Sequence, residues 1–277
     1  MTEAEPTAIY LPLGEGRYLP TQLARGPWSA SHQHGGAPAG LIVREMEQVE
    51  TFQPMRLARV TYDLLGPVPI AELEVKTEVL RPGKRVQWVG ATMSCEGKPI
   101  VRAVGFFVRV EEGATPVQDM LDLTGPTPDA SRDAMTMLDQ LETMFAGHAV
   151  EIRISSDKEQ WIDPGAGSAW FRLKVPLVEG EEPSPQQRAC SAADFGNGIS
   201  APLSWFDWLF VNGDLTVNLA RVPQGEWIQL ESVTRLSGDG TGLTDTRLSD
   251  AGGVIGSATQ SLFVQAQAGA SDFGKPS

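Results

Sequence analysis

Cysteine and histidine are scarce in this chain, with two of the first and three of the second among 277 residues. Cys95 and Cys190 lie far apart and form no CxxC pair, so neither a disulfide framework nor a structural zinc site is expected. His32 and His34 stand close together, but no third metal-binding side chain is near them in sequence, and a turn or surface position is the plainer reading. Basic charge is also short: 22 Lys and Arg face 35 Asp and Glu, leaving a net charge of −13. A nucleic-acid partner would need a basic face to displace counterions, which this balance disfavours. No run of about eighteen apolar residues occurs, and no basic-then-apolar leader opens the chain, so the expectation is a cytoplasmic protein with no membrane span. Neither GxSxG nor GxxxxGK[ST] is present, which leaves a serine nucleophile elbow and a phosphate-cradling loop without support.

What is present is an ordinary globular balance, 41% hydrophobic and 21% charged. The length suits two units of about 130 residues, each able to bury a core of its own. The two halves also echo each other. Val60–Val108 can be laid on Thr216–Val264 at one constant shift without a gap, so that Pro67 meets Pro223, Leu80 meets Leu236, Gly97 meets Gly253 and Phe107-Val108 meets Phe263-Val264.

In the first copy, Leu41, Ile42, Met46 and Val49 recur at helical spacing behind His34-Gly35-Gly36, which predicts a helix over Ala37–Glu50. Alternating β-type runs follow at Leu57–Leu65, Ala71–Leu80, Val86–Cys95 and Ile100–Val110, broken by Gly66-Pro67, Pro82-Gly83 and Glu96-Gly97, as antiparallel hairpins require. The second copy predicts a strand at Trp170–Pro176, a helix within Ala201–Val211, and strands at Leu215–Arg221, Trp227–Leu236, Gly242–Ser249 and Val254–Val264. An antiparallel sheet with one apolar face must cover that face, and a single apolar helix does so. The fold class is therefore α+β, with two antiparallel sheets in tandem, each wrapped around a central helix. The expected division is a first domain at 1–115, a linker at 116–145 and a second domain at 146–277. Within the linker, Glu111–Pro128 is rich in Pro, Gly, Thr and Asp, and Met135, Leu138, Leu141 and Met144 are spaced as on a packing helix over Ala130–Phe145.

Several local marks carry a resemblance across most of the chain. They are Trp28 followed by His34-Gly35-Gly36, Leu80-Arg81-Pro82-Gly83, Ala193-Asp194-Phe195, Asn212-Gly213-Asp214-Leu215-Thr216-Val217, Gly240-Thr241-Gly242-Leu243 and Ala258-Thr259-Gln260. With these the sequence resembles the thioesterase-like superfamily, tandem or double hotdog proteins related to acyl-CoA thioesterase II. The resemblance implies a cytoplasmic enzyme of fatty acid metabolism, a homodimer, that hydrolyses an acyl-CoA without a metal or organic cofactor. In that family an Asp, a Ser or Thr, and a Gln hold the hydrolytic water, and by position these fall on Asp194, Asn212 and Gln260. Asn212 departs from the pattern, because an amide replaces the hydroxyl. At the same shift the first copy offers Pro38, Arg56 and Val104, so one set per chain is expected.

The chemistry of that set is coherent, since a carboxylate can take a proton from water while neutral polar groups orient it toward a thioester carbonyl. Backbone amides at Gly35 and Gly36, opening the first helix, suit a developing oxyanion, and His34 borders the same cleft. Taken singly, each residue also has a plain structural reading. Asp194 could cap a helix, Gln260 could be an ordinary sheet residue, and Asn212-Gly213-Asp214 is a good turn signal. Two other functions stay open: a non-catalytic protein that binds acyl-CoA or an acyl chain, and an enoyl-CoA hydratase, whose Asp/His pair would have to form across the halves because no histidine follows His148. The binding tunnel depends on how Trp161, Trp170, Trp205, Phe206 and Trp208 pack. A CoA ligand, itself anionic, would need a local group of Lys and Arg against the overall negative field.

Overall fold

Residues 6–116, 125–134 and 142–267 are described by a computed structural model. The first half runs β1 (Tyr10–Gly14), β2 (Arg17–Pro20), α1 (Gly36–Glu47), β3 (Met55–Leu64), β4 (Leu73–Arg81), β5 (Val86–Cys95) and β6 (Lys98–Arg109). The second half runs β7 (Arg132–Asp133), β8 (Val150–Ile154), β9 (Gly167–Leu173), α2 (Pro185–Ala193), α3 (Gly196–Ser200), β10 (Trp208–Asn212), β11 (Asp214–Leu219), β12 (Ile228–Leu236), β13 (Thr241–Asp250) and β14 (Gly253–Ala266).

Strand periodicity was a sound guide for the expected strands, β3 to β6, β9 and β11 to β14, which begin and end within a few residues of their expected bounds, with clear alternation along β5, β13 and β14; β1, β2, β7, β8 and β10 were not expected. Two separate sheets were expected, but the strands hydrogen-bond into one 14-stranded sheet, in the order β1-β2-β4-β5-β6-β3-β11-β14-β13-β12-β9-β8-β7 with β10 beside β14. The join is the antiparallel pair β3–β11, from Asp63↔Asp214 to Arg59↔Asn218, with Val60 opposite Val217 and both buried. Each half ends in an edge strand with unpaired amides and carbonyls and a matching apolar face, so the two edges satisfy each other.

The helices lie on the inward face of this sheet. Helix α1 contacts β3 to β6, α2 and α3 contact β9, β12 and β13, and α1 and α2 pack on one another. The second helix is displaced from its expected place. Residues 201–207 are irregular and β10 is extended, whereas the helix occupies 185–193 and resumes at 196–200. Ser184 accepts a hydrogen bond from the Gln187 amide at 3.1 Å and Pro185 opens the first turn, which is where the helix start is encoded. The apolar run Trp205–Phe210 has helical spacing, but β10 pairs with β14 from Trp208↔Ala266 to Asn212↔Leu262 and draws its residues into the sheet.

The repeat also needs a correction of register. Val89, Ala91 and Ala103 face inward and are buried, yet the constant shift lays them on Asp245, Arg247 and Thr259, whose neighbours Thr244, Thr246, Ala258 and Gln260 are the buried ones. A one-residue slip moves every side chain of a strand to the other face. The copies therefore correspond element by element and not residue by residue, and Pro38, Arg56 and Val104 are not the counterparts of the three candidate site residues. Of the helix expected over Ala130–Phe145, Met135, Leu138 and Leu141 lie outside the described residues. At its ends, Arg132–Asp133 is a strand paired with β8 and Met144 has extended backbone.

Candidate active site

Asp194 sits at the break between α2 and α3, with its side chain only 8% exposed. It does not cap either helix with its carboxylate. Instead the Asn212 Nδ2 donates to its Oδ1 at 2.8 Å, and the Gln260 Nε2 lies 3.3 Å from the same oxygen and 3.3 Å from the Asp194 main-chain carbonyl. On the other side, the His34 Nδ1 is 3.0 Å from Oδ2. All six residues singled out from the sequence, His34, Gly35, Gly36, Asp194, Asn212 and Gln260, thus meet at one place, and they come from both halves of the chain.

Local structure explains each position. Strands β10 and β11 are two pieces of one strand line along β14, joined where the Gly213 amide donates to the Ser261 carbonyl at 3.1 Å. Phe210 faces inward before the join, while Leu215, Val217 and Leu219 do so after it. The alternation shifts by one residue at Asn212-Gly213, as at a bulge, and this turns the Asn212 amide onto Asp194. The Asn-Gly-Asp turn signal therefore marks a break within a strand line and not a reversal. Gln260 is on the inward face of β14 and 2% exposed, with its Oε1 accepting from the Asn197 amide at 3.0 Å.

Close helix packing sets the opposite wall. A Cβ added at Gly35 would lie 2.8 Å from Asp194 Oδ2, one at Gly36 would run into the Ser191 carbonyl of α2, and one at Gly40 would meet the Ser191 hydroxyl. The missing side chains let α1 lie directly on α2. His34 is held by ring contacts, 5.0 Å to Phe145 and 4.3 Å to Phe195 between centroids. The Gly36 amide is 3.1 Å from His34 Nδ1, which cannot accept that hydrogen and also donate to Asp194. With the proton on Nδ1, the ring donates to Asp194 and the Gly36 N–H is left with the same carboxylate as its acceptor. Burial alone would push the Asp194 carboxyl up, but His34, then Asn212 and the Gly36 amide, outweigh it and hold it below the ordinary aspartate value.

The N-terminal domain signature of acyl-CoA thioesterases matches residues 24–108, and the C-terminal domain signature matches residues 124–264. The chain belongs to the acyl-CoA thioesterase family. It is thus a thioester hydrolase, and the two signatures contain between them all six residues gathered around Asp194. Among solved structures, a hot dog fold protein of unknown function from Alicyclobacillus acidocaldarius aligns with a TM-score of 0.71 at 11% identity, covering 91% of this chain and 93% of its own. The acyl-CoA thioesterase II of Mycobacterium marinum aligns with a TM-score of 0.65 at 17% identity, over 94% and 97% of the two chains. A tesB protein from Mycobacterium avium subspecies paratuberculosis gives 0.68 at 14% identity, over 94% and 96%. These likenesses establish the hot dog fold. No curated protein matches the chain in sequence.

In this thioesterase family member the sequence had placed His34 at the border of the cleft, whereas the ring is a direct partner of the carboxylate. The available signal was its position just before the glycine pair that opens α1; that α2 would bring Asp194 there was not encoded locally. The tryptophans do not form one tunnel wall. Trp161 and Phe171 pack on Phe195, with centroids at 6.3 and 4.6 Å, and Trp205 contacts Trp28 at 4.9 Å. Trp170 donates its indole N–H to the Pro126 carbonyl at 2.9 Å, and Phe206 is 65% exposed.

Proposed function

We propose that this chain hydrolyses an acyl-CoA to the free carboxylic acid and CoA, using a water activated at Asp194. The observation that carries this reading is a buried carboxylate, held below the ordinary aspartate value, ringed by Asn212, Gln260 and His34 where the two halves meet. Asp194 accepts a proton from the water, Asn212 and Gln260 orient it, and its oxygen attacks the thioester carbonyl carbon. As the carbon–sulfur bond breaks, the thiolate takes the proton back from Asp194. A depressed carboxylate pKa makes a weak base, so positioning has to supply much of the rate. With the Gly36 N–H engaged by Asp194, the Gly35 N–H and the start of α1 serve the oxyanion. In this reading 1–115 and 146–277 are two hotdog units joined by 116–145, the first giving the helix start and the second the base, and the whole works as a cytoplasmic homodimer.

The test offers the purified protein a panel of acyl-CoAs while a thiol reagent reports released CoA. Turnover with at least one acyl chain is expected, falling by about 10²-fold or more in Asp194→Ala. The reading fails if no chain length gives turnover above that variant.

The His34–Asp194 contact favours one second reading, hydration of an enoyl-CoA, in which an Asp and a His share the proton transfers. Loss of enoyl absorbance without CoA release would select it.

A further inference from the structure

The cores beneath the helices differ in chemistry between the halves. Toward α1 the buried positions of β4, β5 and β6 are apolar at Val75, Ala91, Met93 and Ala103, with Gln87 a buried polar side chain among them. Toward α3 the buried positions of β12, β13 and β14 include Ser232, Thr234, Thr244, Thr246 and Gln260. Hydroxyls are costly to bury unless they are hydrogen-bonded, and these are. Thr234 Oγ1 lies 2.7 Å from Thr244 Oγ1, 2.7 Å from Ser200 Oγ and 3.4 Å from Asn197 Oδ1.

Thr234, on β12, is the hub of this group: the Ser200 hydroxyl donates to the Gly196 carbonyl at 2.8 Å, so Thr234 donates to Ser200 at the end of α3 and accepts from Thr244 on β13. That helix has only five residues and cannot hold its shape without such ties. Its first turn supplies the Asn197 N–H that occupies Gln260 Oε1 at 3.0 Å. With Oε1 turned to the Asn197 N–H, the Nε2 side of the Gln260 amide faces Asp194. A Cβ at Gly196 would lie 3.0 Å from the same Oε1, so α3 and the Gln260 side chain are in direct contact.

We propose that Thr234 is a positioning residue, whose hydroxyl anchors α3 so that the Gln260 amide is fixed with its donor side toward Asp194. The proposal rests on the hydrolytic reading of that site. Thr234→Val keeps the shape and removes the hydroxyl; Thr234→Ser keeps the hydroxyl. In the full-length protein, kcat and KM are measured with an acyl-CoA that the wild type turns over, and hydrogen exchange is followed over residues 195–201 without substrate. Thr234→Val should lower kcat about tenfold with KM within about twofold, and speed exchange in that segment, while Thr234→Ser restores both. Wild-type kcat in Thr234→Val, a Thr234→Ser variant as impaired as the valine one, or a loss carried by KM would each overturn the proposal. If the wild type turns over no acyl-CoA, the hydrolytic reading falls, and exchange still judges the anchor: unchanged exchange in Thr234→Val overturns it, and faster exchange supports it.

Discussion

At the scale of single residues the unusual feature is a carboxylate that is both buried and strongly favoured as an anion. Asp194 is buried, which penalises its charge, yet His34, Asn212 and the Gly36 amide more than compensate. A carboxyl whose folded pKa lies below its unfolded value, about 3.9 for aspartate, adds stability above that value and loses it as pH falls through the folded pKa. The difference in stability between wild type and Asp194→Asn should therefore hold through neutral pH and shrink below about pH 4. Urea denaturation at stepped pH reads this. The acid limb of kcat/KM should likewise fall below the usual carboxylate range; a limb between about pH 6 and 7 would move the base to a different group.

At the scale of elements, the site depends on how closely α1 lies on α2. Because a side chain at Gly36 would meet the Ser191 main-chain carbonyl, no rotamer can relieve the contact and the helices must part. Gly36→Ala should cost about 1–3 kcal/mol and lower kcat through displacement of His34 from Asp194, as thermal melting and steady-state rates would show. A stable variant with unchanged turnover would mean that the helix crossing does not set the site.

At the scale of the whole molecule, the halves are joined by more than the β3–β11 pair. Arg44 on α1 donates from Nε to Glu181 at 2.9 Å, and Glu47 accepts from the Ser184 hydroxyl at 2.9 Å and from Gln187 Nε2 at 2.7 Å at the start of α2. Burial pushes the Glu47 carboxyl up, and the hydrogen bonds from Gln187 and Ser184 only partly offset this. A raised carboxyl pKa gives stability that is full below the unfolded value and is lost as pH rises through the folded one. Glu47→Gln, which removes the buried charge and keeps an acceptor, should raise Tm at neutral pH by about 2–4 °C, with the gain vanishing in acid. A lower Tm at pH 7 would show that the charge itself, attracted to the start of α2, holds the halves together.

Much of this architecture was legible in the chain. Strand alternation and turn residues gave β3 to β6 and β11 to β14 nearly to their ends, because patterns over a few residues are local physics, whereas Asp194, Asn212 and Gln260, which do meet in the fold, were singled out only by the family resemblance. The rest was decided by contacts between segments far apart in sequence. Within the helix expected at Ala201–Val211, residues 201–207 are irregular and the remainder joins strand β10 because β14 offered it a partner, and the repeat slipped by one residue because only the buried face reveals which side chains point inward. His34 reaches Asp194 across 160 positions only because three glycines let two helices touch, a distance no local periodicity encodes.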